Sequence, residues 1–237
     1  LADLHAAGSL RAHRFGFKKR PEDRRHELFV KPHIFEAELD DLRTRNLAAD
    51  VDARLAAINL PAAAAAAFPC LRLSSAAAAA ATVKLQYNEG DGGCFPLHFD
   101  NAGGACKRKL TAILYLNPGW ADGDGGEREL VPWLERAVRI APAHGRLVLF
   151  RSECILHRVL PSRRRRFCLT CWLESDAIDE AHLRVPRDAE GARRAVHHLG
   201  LRSAQRTLSR AVYSRAYVES LSACMADAPP EQRRAML

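Results

Sequence analysis

Phe95-Pro96-Leu97-His98-Phe99-Asp100, followed by Leu156-His157-Arg158-Val159 and Arg166-Phe167-Cys168-Leu169-Thr170-Cys171-Trp172, decides how this chain is read. On a β-strand, residues two apart point to the same side. His98 and Asp100 can therefore reach one metal ion while Phe99 packs against the opposite face. With His157 the set becomes two imidazoles and one carboxylate with coordination positions left open, which suits non-haem Fe(II) used with O2. The same alternation sends Arg166, Cys168, Thr170 and Trp172 to one face and Arg165 elsewhere. An arginine beyond the third ligand offers a planar fork for a carboxylate, the chemistry needed to anchor an acidic cosubstrate beside the metal.

Working outward, short β-rich runs surround these residues: Thr82-Val83-Lys84-Leu85-Gln86-Tyr87, Leu110-Thr111-Ala112-Ile113-Leu114-Tyr115-Leu116, Arg128-Glu129-Leu130-Val131, Val138-Arg139-Ile140-Ala141-Pro142 and Arg146-Leu147-Val148-Leu149-Phe150. Several strands at short spacing, separated by glycine, predict an all-β sandwich or barrel. Ala143-His144-Gly145 reads as the turn before the strand that leads to His157.

The stretch 83–175, about two fifths of the chain, resembles the prolyl 4-hydroxylase-like branch of the 2-oxoglutarate and Fe(II) dependent dioxygenases. The parts come in the family's order: a strand with Tyr87 before a Gly-rich loop, His98-Phe99-Asp100, Tyr115-Leu116-Asn117, the Gly125-Gly126-Glu127 hairpin, His157, and Arg166 nearly ten positions later. The resemblance implies a mainly β core with flanking helices, a double-stranded β-helix (jelly-roll) with N- and C-terminal helical extensions. It implies Fe(II) on His98, Asp100 and His157. It also implies 2-oxoglutarate held by Arg166 with Tyr115 and Thr170, and with Tyr87 near the cosubstrate. O2 is the second cosubstrate, ascorbate the reductant, and a protein or peptide the substrate, with proline among its targets. The domain division expected is an extension with supporting helices over 1–80, the dioxygenase core over 81–175 and a helical extension over 176–237.

The 237 residues suffice for one domain with a sizeable core. No run of eighteen or more apolar residues occurs, which argues against a membrane-spanning helix. The first residue is Leu and no signal-peptide pattern leads the chain, so the expectation is a processed chain or one that starts inside a longer protein. Seven cysteines, an odd number without the spacing of a disulfide framework, predict a cytoplasmic or other reducing compartment. Cys168 and Cys171 face opposite sides of a strand, which disfavours a zinc or redox pair.

The net charge of +8 favours acidic partners. Lys107-Arg108-Lys109, near the expected barrel mouth, favours an acidic peptide. A basic residue set also keeps open a nucleic-acid demethylase. Against that stand an aromatic content of only 7% and the absence of the paired-arginine pattern of the AlkB-like branch after His157. A further alternative is a dioxygenase-fold scaffold that docks into a larger assembly through its helical extensions.

Elsewhere, residues 1–40 read as a solvated basic arm. Leu42, Leu47, Val51, Leu55 and Ile58 predict one helix ended by Pro61, followed by alanine tracts that are either linker or poorly specified helix. Asp122-Gly123-Asp124-Gly125-Gly126-Glu127 lacks the length of a calcium loop and predicts an exposed hairpin turn. The loop 88–96 reads as a mobile wall of the site. His144, His197 and His198 read as surface or packing residues. Leu201, Ala204, Leu208 and Val212 predict the packing stripe of a C-terminal helix, with Arg202, Arg206 and Arg210 on its solvated face and Pro229-Pro230 closing it.

Overall fold

In β3 (Ala81–Asn88), Val83, Leu85 and Tyr87 alternate with Lys84, Gln86 and Asn88, and both faces are used. The computed structural model describes residues 1–17, 27–74, 81–101, 106–175 and 202–236. β10 (Arg166–Glu174) lies between β3 and β5 (Arg108–Tyr115), with Cys168 opposite Gln86 on one side and Tyr115 on the other. Paired residues share a face. Arg166, Cys168, Thr170 and Trp172 therefore face inward with Gln86, Ile113 and Tyr115, while Phe167 and Leu169 face outward with Tyr87 and Leu85.

The major sheet has the order β1-β2-β3-β10-β5-β8, with β1 at Arg11–Phe17, β2 at Glu27–Glu38 and β8 at Leu147–Arg151. The minor sheet has the order β4-β9-β6-β7, from Phe95–His98, Leu156–Val159, Arg128–Val131 and Val138–Ile140. The pairings are antiparallel. This is the double-stranded β-helix, and the turn 143–145 leads into β8 through the bond from Gly145 N to Tyr115 O at 2.9 Å.

Helices cover both outer faces. On the major sheet, α2 (Leu39–Thr44) and α3 (Ala49–Ile58) bring Leu39, Leu42, Val51 and Leu55 onto Leu85 and Tyr87, and α4 (Leu60–Ala67) brings Ala64 onto Leu110 and Leu173. Full burial of one such leucine contributes about 1.5–3 kcal/mol. On the minor sheet, α6 (Ser214–Cys224) packs Ala216 and Tyr217 onto Leu97, Val131 and Leu156. Ser220 Oγ accepts the Leu97 amide at 3.0 Å, so this helix is fastened to the strand that carries His98.

Several expectations need correction. Part of 1–40 is not a solvated arm, because β1 and β2 extend the major sheet and Ile34, Glu36 and Glu38 pair with Asn88, Gln86 and Lys84. The single helix predicted over 42–58 is broken after Thr44, where Asn46 takes φ 57°, leaving Leu47 and Ile58 exposed. Pro61 opens α4 rather than merely ending α3, its fixed φ suiting the first turn. In α5 (Arg202–Val212), Leu208 and Val212 are exposed, and among its described side chains Gln205 and Ser209 are buried. A polar contact decides this, since Gln205 Nε2 donates to Cys154 O at 2.6 Å. Pro230 begins α7 (Pro230–Met236) instead of closing a helix. Leu201, His197, His198, the basic clusters at 18–26 and most of the second alanine tract lie outside the described residues.

Cys94 and Cys224 form a disulfide across 130 positions, a pairing that no framework spacing in the sequence announced. Among the described residues no helix is long and apolar enough to cross a membrane.

Candidate metal and cosubstrate site

β4 ends at His98 and β9 carries His157 directly opposite it, so antiparallel pairing brings the two imidazoles to ring centroids 4.2 Å apart. Asp100 follows one pleat on, its Oδ1 3.5 Å from His98 Nε2 and 3.6 Å from His157 Nε2. One ligand atom from each of the three residues lies within 4.8 Å of the others, and among the described residues this is the group able to hold a metal ion.

The surroundings set the donor atoms. His98 Nδ1 donates to Pro96 O at 2.7 Å and His157 Nδ1 donates to Ile155 O at 3.0 Å. A carbonyl only accepts, so both Nε2 atoms keep their lone pairs for a metal. Asp100 Oδ2 accepts from Thr111 Oγ1 at 2.7 Å, and Thr111 Oγ1 lies 2.8 Å from Ser152 Oγ. Burial pushes the Asp100 carboxyl up, but His157 and His98 outweigh it and hold the group well below its usual range. Burial, with His98 and Arg128 nearby, pushes His157 down to about 4 against the pull of Asp100. At neutral pH the set is an ionised carboxylate with a neutral imidazole, the form that binds a cation. Among the described residues buried His157 Nε2 has no hydrogen-bond partner, an open lone pair that a metal would satisfy. The residues fit the ion.

Arg166 enters the interior as the strand parity predicts and is almost fully buried. Its Nε donates to Gly126 O at 2.9 Å, its Nη1 lies 3.5 Å from Cys168 Sγ, and its guanidinium sits 5.0 Å from the Tyr115 ring centroid. Among the described residues Arg166 Nη2 and the Tyr115 hydroxyl are buried without hydrogen-bond partners. Two unspent donors beside a fixed positive charge fit a carboxylate. Thr170 shares this inner face, Oγ1 3.5 Å from Gln86 Oε1.

Tyr87 is not brought to the site. It lies on the outer face of the major sheet, stacked on Phe167 at 5.1 Å, and Gln86 holds the inward position in its place. Arg164 stays at the surface, paired with Asp124 at 3.1 Å. The loop 88–96 is pinned rather than free: Asn88 Nδ2 donates to Gly93 O at 2.8 Å, and Gly92 N and Ser162 N bond across to Ser162 O and Gly93 O. Of the basic triplet, Lys109 pairs with buried Glu153 at 3.2 Å and Arg108 stacks on Trp172 at 4.4 Å, leaving Lys107 exposed.

A cavity of ≈ 320 Å³ adjoins His98 and Asp100 and reaches Thr170 and Trp172. Its wall includes His13, Lys31 and Arg128, none of them singled out from the sequence. No local pattern marks them, because sheet pairing brings His13 on β1 and Lys31 on β2 to this place and Arg128 reaches it from β6 of the other sheet.

Residues 83–174 match the model of the 2OG-Fe(II) oxygenase superfamily. No curated protein matches the chain by sequence. Among solved structures, one of prolyl 4-hydroxylases from Phytophthora capsici is 38% identical, covering 85% of this chain and 68% of that one, with a TM-score of 0.72. A Pseudomonas putida prolyl-4-hydroxylase is 25% identical over 73% of this chain and 81% of that one, TM-score 0.48. A Trichoplax adhaerens prolyl hydroxylase, in complex with a hypoxia inducible factor peptide fragment, is 20% identical over 74% of each chain, TM-score 0.49.

Proposed function

Because the chain belongs to the 2OG-Fe(II) oxygenase superfamily, in its prolyl 4-hydroxylase-like branch, it is an Fe(II)- and 2-oxoglutarate-dependent dioxygenase, and we propose that it hydroxylates a protein or peptide at proline. His98, Asp100 and His157 would hold the iron. Arg166 and Tyr115 would hold the distal carboxylate of 2-oxoglutarate, with Thr170 alongside. Residues 81–175 would form the catalytic core, supported by elements from 1–80 and 176–237. The observation that carries the reading is the set of buried atoms without hydrogen-bond partners among the described residues: His157 Nε2 on the minor sheet, and Arg166 Nη2 and Tyr115 Oη on the inner face of the major sheet.

When bound, iron with 2-oxoglutarate and O2 supplies the oxidation that replaces a substrate C–H by C–OH and releases succinate and CO2, with ascorbate as reductant. The chain contributes position and protection. The Nδ1 bonds to Pro96 and Ile155 fix the plane of each imidazole, and Thr111 fixes the carboxylate. Arg166, itself held by Gly126, orients the cosubstrate by its far end. Ile113, Phe99 and Trp172 along the cavity exclude water from it.

The nucleic-acid alternative rests on the net charge of +8, and the scaffold alternative on the helical extensions; no contact in the site favours either. Succinate release measured over pools of proline peptides, with Fe(II), 2-oxoglutarate and ascorbate, tests the reading. Peptide-stimulated succinate with a mass gain of one oxygen on proline supports it. Stimulation by oligonucleotides alone would overturn it.

A further inference from the structure

The cavity holds more positive charge than iron and its cosubstrate use. Lys84 is balanced by Glu36 at 3.1 Å, and Arg108 lies against Trp172. Lys31 and Arg128 remain. They are 4% and 5% exposed, both line the cavity, and among the described residues neither has a carboxylate within 4.0 Å. The Lys31 ammonium rests 3.6 Å from the Phe95 ring centroid, and Arg128 Nε is buried without a hydrogen-bond partner among the described residues.

Such an arrangement is costly without a ligand. A buried donor left open is destabilising, the more so on a charged group. The two cations also oppose each other: Lys31 is pushed down to about 7 by burial and, beyond the support of Glu36, by Lys84 and Arg128. The cosubstrate does not resolve this. In the proposed complex the doubly positive iron and Arg166 balance Asp100 and a 2-oxoglutarate dianion, so Lys31 and Arg128 stay uncompensated.

We propose that Lys31 and Arg128 form an anion-recognising subsite that receives the carboxylate side chain of an acidic residue adjoining the residue to be oxidised. This rests on the peptide-hydroxylase reading above and specifies its substrate as an acidic peptide. The guanidinium offers a fork to the carboxylate, and the ammonium offers a point charge from the other sheet. The preference lies inside the cavity and not in the Lys107–Lys109 triplet, two members of which are engaged elsewhere.

Capped pentapeptides with a central proline, each flanking position carrying Asp, Glu, Asn or Gln in turn, test this in the iron- and 2-oxoglutarate-loaded protein. Binding is read anaerobically by calorimetry and turnover by succinate release. At least one acidic peptide should bind roughly tenfold tighter than its amide twin. Lys31→Gln with Arg128→Leu should abolish that difference, Arg128→Lys should restore part of it, and the 2-oxoglutarate requirement should not move. Equal binding of acid and amide peptides, no binding of any acidic peptide, or a preference that survives the double substitution would overturn the subsite. So would a raised 2-oxoglutarate requirement in Arg128→Leu, since Arg128 would then serve the cosubstrate. Acid-selective binding without succinate overturns the hydroxylase reading alone, and succinate without acid selectivity overturns the subsite alone.

Discussion

Gly126 and Arg166 are fitted to each other at the inner end of the barrel: the glycine carbonyl accepts Arg166 Nε at 2.9 Å, and a Cβ on Gly126 would stand 2.8 Å from Arg166 Cδ. Gly126 also has φ 76°, where a side chain is strained. Arg166→Ala should raise the 2-oxoglutarate requirement by roughly 10- to 100-fold with metal binding retained, as expected for a buried hydrogen bond to a charged group. Gly126→Ala should displace the guanidinium and raise it about tenfold. Arg164→Ala should change it less than about twofold, because its ion pair with Asp124 is solvated. Initial rates against 2-oxoglutarate concentration, with metal content measured alongside, check all three.

Two tyrosines should behave oppositely. Tyr115→Phe removes the unpartnered hydroxyl beside Arg166 and should raise the 2-oxoglutarate requirement by about tenfold. Tyr87→Phe should leave it unchanged, because Tyr87 packs on the other side of the sheet. Equal effects would mean that the observed β3 register is wrong by one residue.

What the sequence made legible follows one rule, the two-residue period of a strand. It placed His98 with Asp100, and Arg166 with Thr170, because each pair lies in one short uninterrupted run. It failed at Tyr87 for the same reason, since a single-residue slip moves a side chain to the opposite face. Lys31 and Arg128 could not be found locally, because they meet only when the two sheets pack. The strands within 1–40 were hidden by their charges: Lys31 and Glu36 face an interior that pairs or exploits them. Cys94 and Cys224 carry no spacing signal across 130 positions. The C-terminal helix misled because Leu208 and Val212 of its apolar stripe are exposed while the buried Gln205 makes a polar contact.

Glu36 should give the fold a pH signature. Burial raises its carboxyl, but His13 and Lys84 more than reverse this and hold it at about 2 against an ordinary 4.5. With the folded value depressed, the unfolded chain takes up the proton first as pH falls. The stabilisation is present above about pH 4.5 and is lost toward pH 2, on the order of 3 kcal/mol in full. Denaturant unfolding of wild type and Glu36→Gln should converge at low pH and diverge above it. Parallel curves would show that Glu36 is not paired within the sheet.

The Cys94–Cys224 bond ties α6 to the approach to β4. Its reduction, or Cys224→Ser, should cost about 2–5 kcal/mol of stability, since closing so long a loop restricts the unfolded chain. Thermal unfolding with and without reductant should show wild type falling to the level of the variant, and the variant should not respond.

His98, Asp100 and His157 should hold iron next to an Arg166-anchored 2-oxoglutarate. Anaerobic titration with Fe(II), then 2-oxoglutarate, followed by metal analysis and visible absorption, tests it most directly. One equivalent of iron should bind, and 2-oxoglutarate should then produce a charge-transfer band. His157→Ala should lose the metal, and Arg166→Ala should keep the metal but need far more 2-oxoglutarate. A folded wild-type protein that takes up no iron, or an Asp100→Ala variant that binds it as tightly as wild type, would contradict the account.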